Sequence, residues 1–433
     1  MTDLDERVSG TAPLIGRRTL LRLTAQLTLL APFARVAHSA EKPDARFVLV
    51  ILRGGLDGLA AVPPYGEPRY RALRGSLALD APGGETGALP LDGLFGLHPS
   101  LVNLHEMYRA NELAVLHAVA TPYRDRSHFD AQKVLEAGGI APSAADGGWL
   151  NRALGGLAKS GAKREAIALA ESLPLVLRGD FAASTWSPSH LPGADEDTLA
   201  RVRMLYDAVD PHLAERLGEA LAAREIAGDD AMPAAGSGKP GAGRNGKPGA
   251  GRSGKPGARG GAQAEPLTTA AARFLANPAG PRVAVIDIGG WDTHANQGAA
   301  QGNLAARLRG LDLGLAALKH ELGPVWSETA VAVVTEFGRT VAVNGTRGTD
   351  HGTATCAFLA GGAVDGGRVI ADWPGLAAQS LRDGRDLAAT TDLRAVFKGA
   401  LAEGFGMSDG ALAAVFPDSE SAKPISNLLR RRA

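Results

Sequence analysis

Val283-Ala284-Val285-Ile286-Asp287-Ile288-Gly289-Gly290-Trp291-Asp292-Thr293-His294 is the stretch on which the fold class turns. The run Val283 to Ile288 is apolar and rich in β-branched residues, and it stops at paired glycines. Such a run reads as a buried strand ending in a turn. Arg282 to Ile288 is assigned accordingly as a strand. Phe47 to Leu52, Leu113 to Val119, Thr329 to Val334 and Cys356 to Ala360 repeat the pattern. Between them, Ser100 to Arg109, a segment entered at His128 and running to about Glu136, Trp149 to Lys159 and Leu304 to Leu322 carry helical spacing. Ile167 to Leu177 reads as a strand pair, and Asp195 to Ile226 as a helical insertion covering the sheet. Strands alternating with helices predict an α/β fold with a mostly parallel sheet covered on both faces.

The chain has 433 residues, 45% hydrophobic and 21% charged, enough to bury a sizeable core. A formal net charge of zero gives no reason to expect nucleic acid or an acidic membrane surface as partner. The single cysteine, Cys356, excludes an intrachain disulfide and a cysteine-based zinc cluster.

Residues 1–40 carry Arg17-Arg18, the apolar run Leu23 to Phe33 and the small-residue stretch ending at Ala40. Twin arginines before a moderate apolar segment have the form of a twin-arginine export signal, against the plainer reading of a basic amphipathic helix. Gln26 and Pro32 interrupt the run, so no stable membrane span is expected in the mature chain. The export machinery is thus an expected partner, and the periplasm or extracellular space of a bacterium the expected location. The domain reading places 41–228 and 267–433 in one α/β domain, split by a disordered loop at 229–266. That stretch repeats Gly-Lys-Pro-Gly-Ala-Gly-Arg and has nothing apolar to bury. Within it, Gly249 to Lys255 imitates a phosphate-binding loop, but Pro256 stands where Ser or Thr should be.

In open α/β sheets, ligands collect beyond the carboxyl ends of the strands. Asp57 follows the first strand, and Ser127 and His128 open a helix where free N–H groups favour an anion. Asp292 and His294 follow the strand quoted above, Glu336 the next, and Asp350 and His351 lie in the loop beyond. Carboxylates with imidazoles suit a divalent cation such as zinc, manganese, magnesium or calcium. Asp57 could instead satisfy turn backbone, Ser127 could serve only as a helix cap, and Asp350 could orient an imidazole.

Five segments taken together resemble the twin-arginine-exported family known as domain of unknown function 1501, similar to sulfatases and alkaline phosphatases. They are Val50 to Gly58, Arg126-Ser127-His128-Phe129, Gly289 to His294, Thr335-Glu336-Phe337-Gly338-Arg339 and Asp350-His351-Gly352-Thr353. The resemblance implies an alkaline-phosphatase-like three-layer α/β/α sandwich, two metals, and Ser127 as nucleophile. It implies Asp57, Asp292, His294, Glu336 and His351 as metal ligands; Asp350 is counted with them from its place beside His351. Two departures stand out: the Asp292-to-His294 spacing is short, and Phe337 replaces a metal histidine. His128, Arg339 and Arg53 complete the expected catalytic set, the arginines stabilising charge on the transferring group. The expected activity is hydrolysis of a small-molecule phosphate or sulfate ester. The rival is a catalytically degenerate binding protein of the same fold, and a metal-dependent oxidoreductase is a more distant third.

Overall fold

The computed structural model describes residues 45–142, 147–157, 166–188, 195–228 and 264–431. The export-signal reading and residues 229–263 lie outside them. In chain order the first half comprises β1 (Arg46–Arg53), α1 (Gly58–Ala61), α2 (Tyr70–Arg74), β2 (Leu89–Pro90), β3 (Gly96–Leu97), α3 (Val102–Arg109) and β4 (Leu113–Ala120). There follow α4 (His128–Ala137), α5 (Trp149–Leu157), β5 (Ala166–Leu169), β6 (Ala183–Trp186), α6 (Glu196–Val209) and α7 (Pro211–Ala227). The second half comprises α8 (Ala264–Ala276), β7 (Val283–Gly289), α9 (Asn303–Leu322), β8 (Thr329–Val334) and β9 (Thr355–Ala360). It closes with β10 (Arg368–Ile370), β11 (Thr391–Asp392), α10 (Leu393–Phe405) and α11 (Asp409–Val415).

Nine strands form one sheet, ordered β10-β4-β9-β8-β1-β7-β5-β6, with β11 also pairing to β4. Only β9 runs antiparallel to its neighbours. β1 sits between β7 and β8, so Val50 faces both Ile286 and Val333 across the ladder. The residues before and after the low-complexity stretch therefore interleave in a single sheet. Strand periodicity divides the core in two. Val48, Val50 and Leu52 pack with α3, α8 and α9 on one face. Phe47, Leu49 and Ile51 pack with α5, α10 and α11 on the other. Helices on both faces make a three-layer α/β/α arrangement, and continuous apolar strands are what two covered faces require.

Three segments depart from the sequence reading. Ile167 to Leu177 is not a strand pair: β5 ends at Leu169, and Pro174 leads into a 3₁₀ turn over Leu175–Leu177. The partner of β5 is β6, in parallel register. The helices over 195–227 do not cover the sheet. No residue of α6 is buried, and α7 buries only Ala227. Their apolar side chains, such as Met204 and Val209, stay exposed. At the end of the low-complexity stretch, Ala264, Glu265 and Pro266 already belong to α8, whose alanine-rich face packs on α9.

One buried histidine ties this core to pH. His117 on β4 is fully buried at a register shift, beside Ala118 in a left-handed conformation. Its Nε2–H donates to the Val62 carbonyl at 3.1 Å, and its Nδ1 accepts from the Ala118 amide at 2.8 Å. Both nitrogens are thus satisfied by the neutral ring. Burial pushes its pKa down to about 4, only partly offset by these backbone contacts. A depressed histidine contributes stability that is present above its unfolded pKa near 6.5 and lost as pH falls toward 4. The full term is about 3 kcal/mol. Chemical denaturation of the wild type from pH 7 to pH 4 is expected to show that loss, and His117→Gln a shallower one. Identical pH slopes for the two proteins would count against it.

Candidate metal centre

Because β1, β4, β7 and β8 run in one direction and β9 returns against them, four chain segments meet at one sheet edge. They are the turns after β1 and β7, the loop from β8 to β9, and the start of α4. Gly54, at φ +123°, makes the close approach possible: a Cβ there would lie 2.6 Å from the Asp292 amide nitrogen. The loop after β7 is zipped to residues 344–351 by backbone bonds, Asn296 N to Thr346 O at 3.0 Å and Thr349 N to Thr293 O at 3.2 Å.

Three imidazoles and one carboxylate converge there. His351 Nε2 lies 2.9 Å from His128 Nε2 and 2.9 Å from His294 Nε2. Asp292 Oδ1 lies 3.0 Å from His294 Nε2, 3.4 Å from His351 Nε2 and 3.7 Å from His128 Nε2. His128, Asp292 and His351 form a set that could hold a metal ion, with donor atoms within 4.8 Å of one another. His294 flanks it through His351 and Asp292.

The proton inventory explains what this arrangement wants. His351 Nδ1 is 3.0 Å from the Arg126 carbonyl, which can only accept, so that nitrogen carries the proton. His128 Nδ1 is 2.8 Å from Glu336 Oε1, and His294 Nδ1 is 3.3 Å from Asp350 Oδ1. In each neutral ring the proton therefore sits on the outer nitrogen and the lone pair points inward. With the rings neutral, three imidazole lone pairs face the Asp292 carboxylate, which Arg339 already partners; a bound cation, or a proton on His351 Nε2, would relieve that crowding. Metal–donor bonds of about 2.0–2.1 Å place neighbouring donors about 2.9–3.4 Å apart, which most of these distances approach.

The surroundings hold the carboxylates ionised. Burial works against charge on Glu336, yet hydrogen bonds from His128, Gln132 and Thr335 outweigh it and hold its pKa below the ordinary range. Burial likewise opposes charge on Asp292, but His351 and Arg339 hold it well below the usual carboxylate range. Asp350 is lowered mainly by the Asn344 amide, 2.9 Å away.

The structure gives other expected residues different places. Asp57 stands apart from the four donors: its Oδ1 caps α1 at Ala60, and its Oδ2 is taken by Arg74 and by Gln297 at 2.6 Å. Gln297 in turn receives Thr293 and Thr349, each at 2.8 Å, so Asp57 anchors the site loops from beneath. Glu336, 0% exposed, stands behind His128 and receives His128, Gln132 and the Gly54 amide. Asp350 orients His294, and His128 joins the donor set itself. Arg339 is buried against Gly55 O, Thr349 O and Asp292 Oδ1, at 2.8, 3.1 and 2.5 Å. Arg53 faces away, bound to Glu136 and Asp287, each at 2.8 Å. Ser127 occupies the cap position of α4, but its hydroxyl makes no capping bond. Phe337, in place of a histidine, packs its ring 4.6 Å from that of His128 and 4.9 Å from that of His351.

Two contributors escape sequence reasoning. Gln132 stands one turn after His128 on α4 and reaches Glu336 at 3.1 Å; the i,i+4 spacing was its only signal. Arg126 adopts φ +62°, uncommon without glycine, which turns its carbonyl toward His351. Its guanidinium is clamped by the buried Asp386, at 2.7 and 2.9 Å.

Residues 110–415 match the family described as protein of unknown function, DUF1501. The chain belongs to that family. The DUF1501 match includes all four converging donors, whereas Arg53, Gly54 and Asp57 precede it. No curated protein matches the chain. Among solved structures, the phosphonate monoester hydrolase of Agrobacterium radiobacter is similar at a TM-score of 0.34 and 10% identity. That similarity covers 82% of this chain and 73% of the other.

If the outer hydrogen bonds preset the imidazoles, weakening them lowers metal affinity without unfolding the chain. Arg126→Ala and Glu336→Gln are each expected to reduce zinc affinity about tenfold. Competition titration against a chromophoric chelator reads this directly, and unchanged affinity in both variants would remove the orienting role.

Proposed function

We propose that this protein is an exported metal-dependent hydrolase acting on a phosphate or sulfate ester. The observation that carries the reading is the convergence of His128, His294 and His351 Nε2 with Asp292 Oδ1, the outer nitrogen of each ring facing an acceptor. His128, Asp292 and His351 would hold a divalent cation, with His294 as the adjoining fourth donor. Imidazole-rich donor sets favour zinc or a neighbouring transition ion over magnesium or calcium. Bound there, the cation would act as a Lewis acid on an ester oxygen. With Asp57 and Glu336 engaged elsewhere, the described residues supply one such set rather than two.

The chain's own groups would do the rest. The first turn of α4 presents amide N–H groups and the positive end of its dipole to an anionic substrate. Ser127 stands at that turn with its hydroxyl free of the cap bond, available for in-line attack. Asp350, Glu336 and the Arg126 carbonyl keep the lone pairs of the imidazoles inward. Phe337 walls one side against water.

One observation favours the alternative, a catalytically degenerate binding protein. Both arginines expected to neutralise the transferring group, Arg339 and Arg53, already spend their guanidinium donors inside the protein.

Ser127→Ala separates the two. It is expected to abolish turnover on a responsive ester while leaving metal content intact. Its stability cost should fall well below the about 1 kcal/mol of a lost cap, since no cap bond exists to lose. Elemental analysis of protein purified without chelator should find about one metal per chain, less in His294→Ala and least in His351→Ala, whose nitrogen neighbours all three other donors. Metal-free wild type, inert across a panel of phosphate, phosphonate and sulfate esters, would overturn the hydrolase reading.

A further inference from the structure

Arg53, freed from the metal centre, belongs to a second cavity. A space of about 650 Å³ opens beyond the carboxyl ends of β1, β5 and β7, and none of the four donors lines it. Glu136 in its wall lies two turns after His128 on the same helix, about 12 Å along the axis. Leu169, Leu175 and Leu267 give it apolar walls.

Its charged lining is unbalanced. Glu136, Glu171 and Asp287 face Arg53 and Arg178, three carboxylates against two guanidiniums. Arg53 is fully committed, with one terminal nitrogen on Glu136 and the other on Asp287, each at 2.8 Å. The second oxygen of Glu136 accepts the Val176 amide at 3.1 Å. Asp287 keeps one oxygen, Oδ1, closed off from water and without a hydrogen-bond partner among the described residues. An Asp in a central parallel strand with an unused acceptor is costly to keep, and burial pushes its carboxyl up despite Arg53. Glu171 is exposed at the mouth and makes no ion pair among the described residues. An entering anion would meet surplus carboxylate, and of the two guanidiniums only that of Arg178 is free of an acid. An entering ammonium would meet Glu171 at the mouth and, within, the carboxylates of Glu136 and Asp287 that share the single charge of Arg53.

We propose that this cavity binds a small molecule carrying a protonated amine on an apolar frame, independently of the metal centre. The polar floor would fix the ammonium and the leucine walls would cover the frame, the usual division of labour in small-molecule sites.

Benzylamine, benzyl alcohol and benzoate test this by calorimetric titration into the full chain at neutral pH. They share a ring and differ in charge. Benzylamine is expected to saturate and to bind about tenfold more tightly than either of the others. Glu171→Gln, an exposed change that leaves the fold alone, should weaken it several-fold, and Asp287→Asn at least as much. Ala170→Trp, which fills the cavity, should abolish binding. His294→Ala should leave binding unchanged, separating this site from coordination of the amine at the metal centre. Benzoate binding as tightly as benzylamine, affinity indifferent to Glu171 and Asp287, loss of binding in His294→Ala, or no saturation by about 20 mM would each overturn the proposal.

Discussion

One buried guanidinium holds the functional edge together. Arg339 reaches the carbonyls of Gly54 and Gly55 after β1, of Trp291 after β7, and of Thr349 before β9, besides the Asp292 carboxylate. Backbone carbonyls drawn out of sheet geometry would otherwise be buried without donors, a cost of about 1–3 kcal/mol each. A planar fork with five N–H groups can serve several at once, which a lysine cannot. The placement of Asp292, and through it of His294 and His351, follows from that arrangement.

Around this knot, polar residues work in layers. Asp57, Arg74 and Gln297 brace the loops from below, and Thr293 and Thr349 meet on the same Gln297 oxygen. Glu336, Asp350 and the Arg126 carbonyl stand behind the imidazoles. Phe337 fills the gap between two of the rings. Each layer answers a buried polar group in the next, so the cluster is preorganised by contacts that never touch a ligand.

Much of this was legible in the chain, for identifiable reasons. Strands such as Val283–Gly289 and Thr329–Val334 declare themselves because both faces of a central strand are buried, leaving apolar runs that only Asp287 interrupts. The gathering of Asp292, His294, His128 and His351 follows from strand direction alone. The division between facing the cluster and bracing it is not written in the chain. Asp57 and Glu336 look like ligands in sequence, since an acid after a strand is the same letter whether it meets a metal or an arginine. Only Arg74, seventeen positions on, and Gln132, on another element, decide the matter. Ile167 to Leu177 misled because two apolar pieces were joined across Pro174, which ends extended pairing. The exposed helices over 195–227 misled in the opposite way, having apolar spacing without a surface to cover.

Among the described strands of the nine-stranded sheet, β9 alone runs against its neighbours, and it changes what the loop before it can be. Residues 335–354 leave the sheet from β8 and re-enter it at β9 on the same edge, so no crossover helix has to be threaded back. That loop carries Glu336, Phe337, Arg339, Asp350 and His351, yet its two ends are moored to adjacent strands. Chain entropy penalises lengthening such a closed excursion only logarithmically. The excursion can therefore be long without adding a layer, yet Arg339 and Thr349 stitch it to the turns after β1 and β7, so it behaves as a bracket fastened across the edge rather than as a free flap.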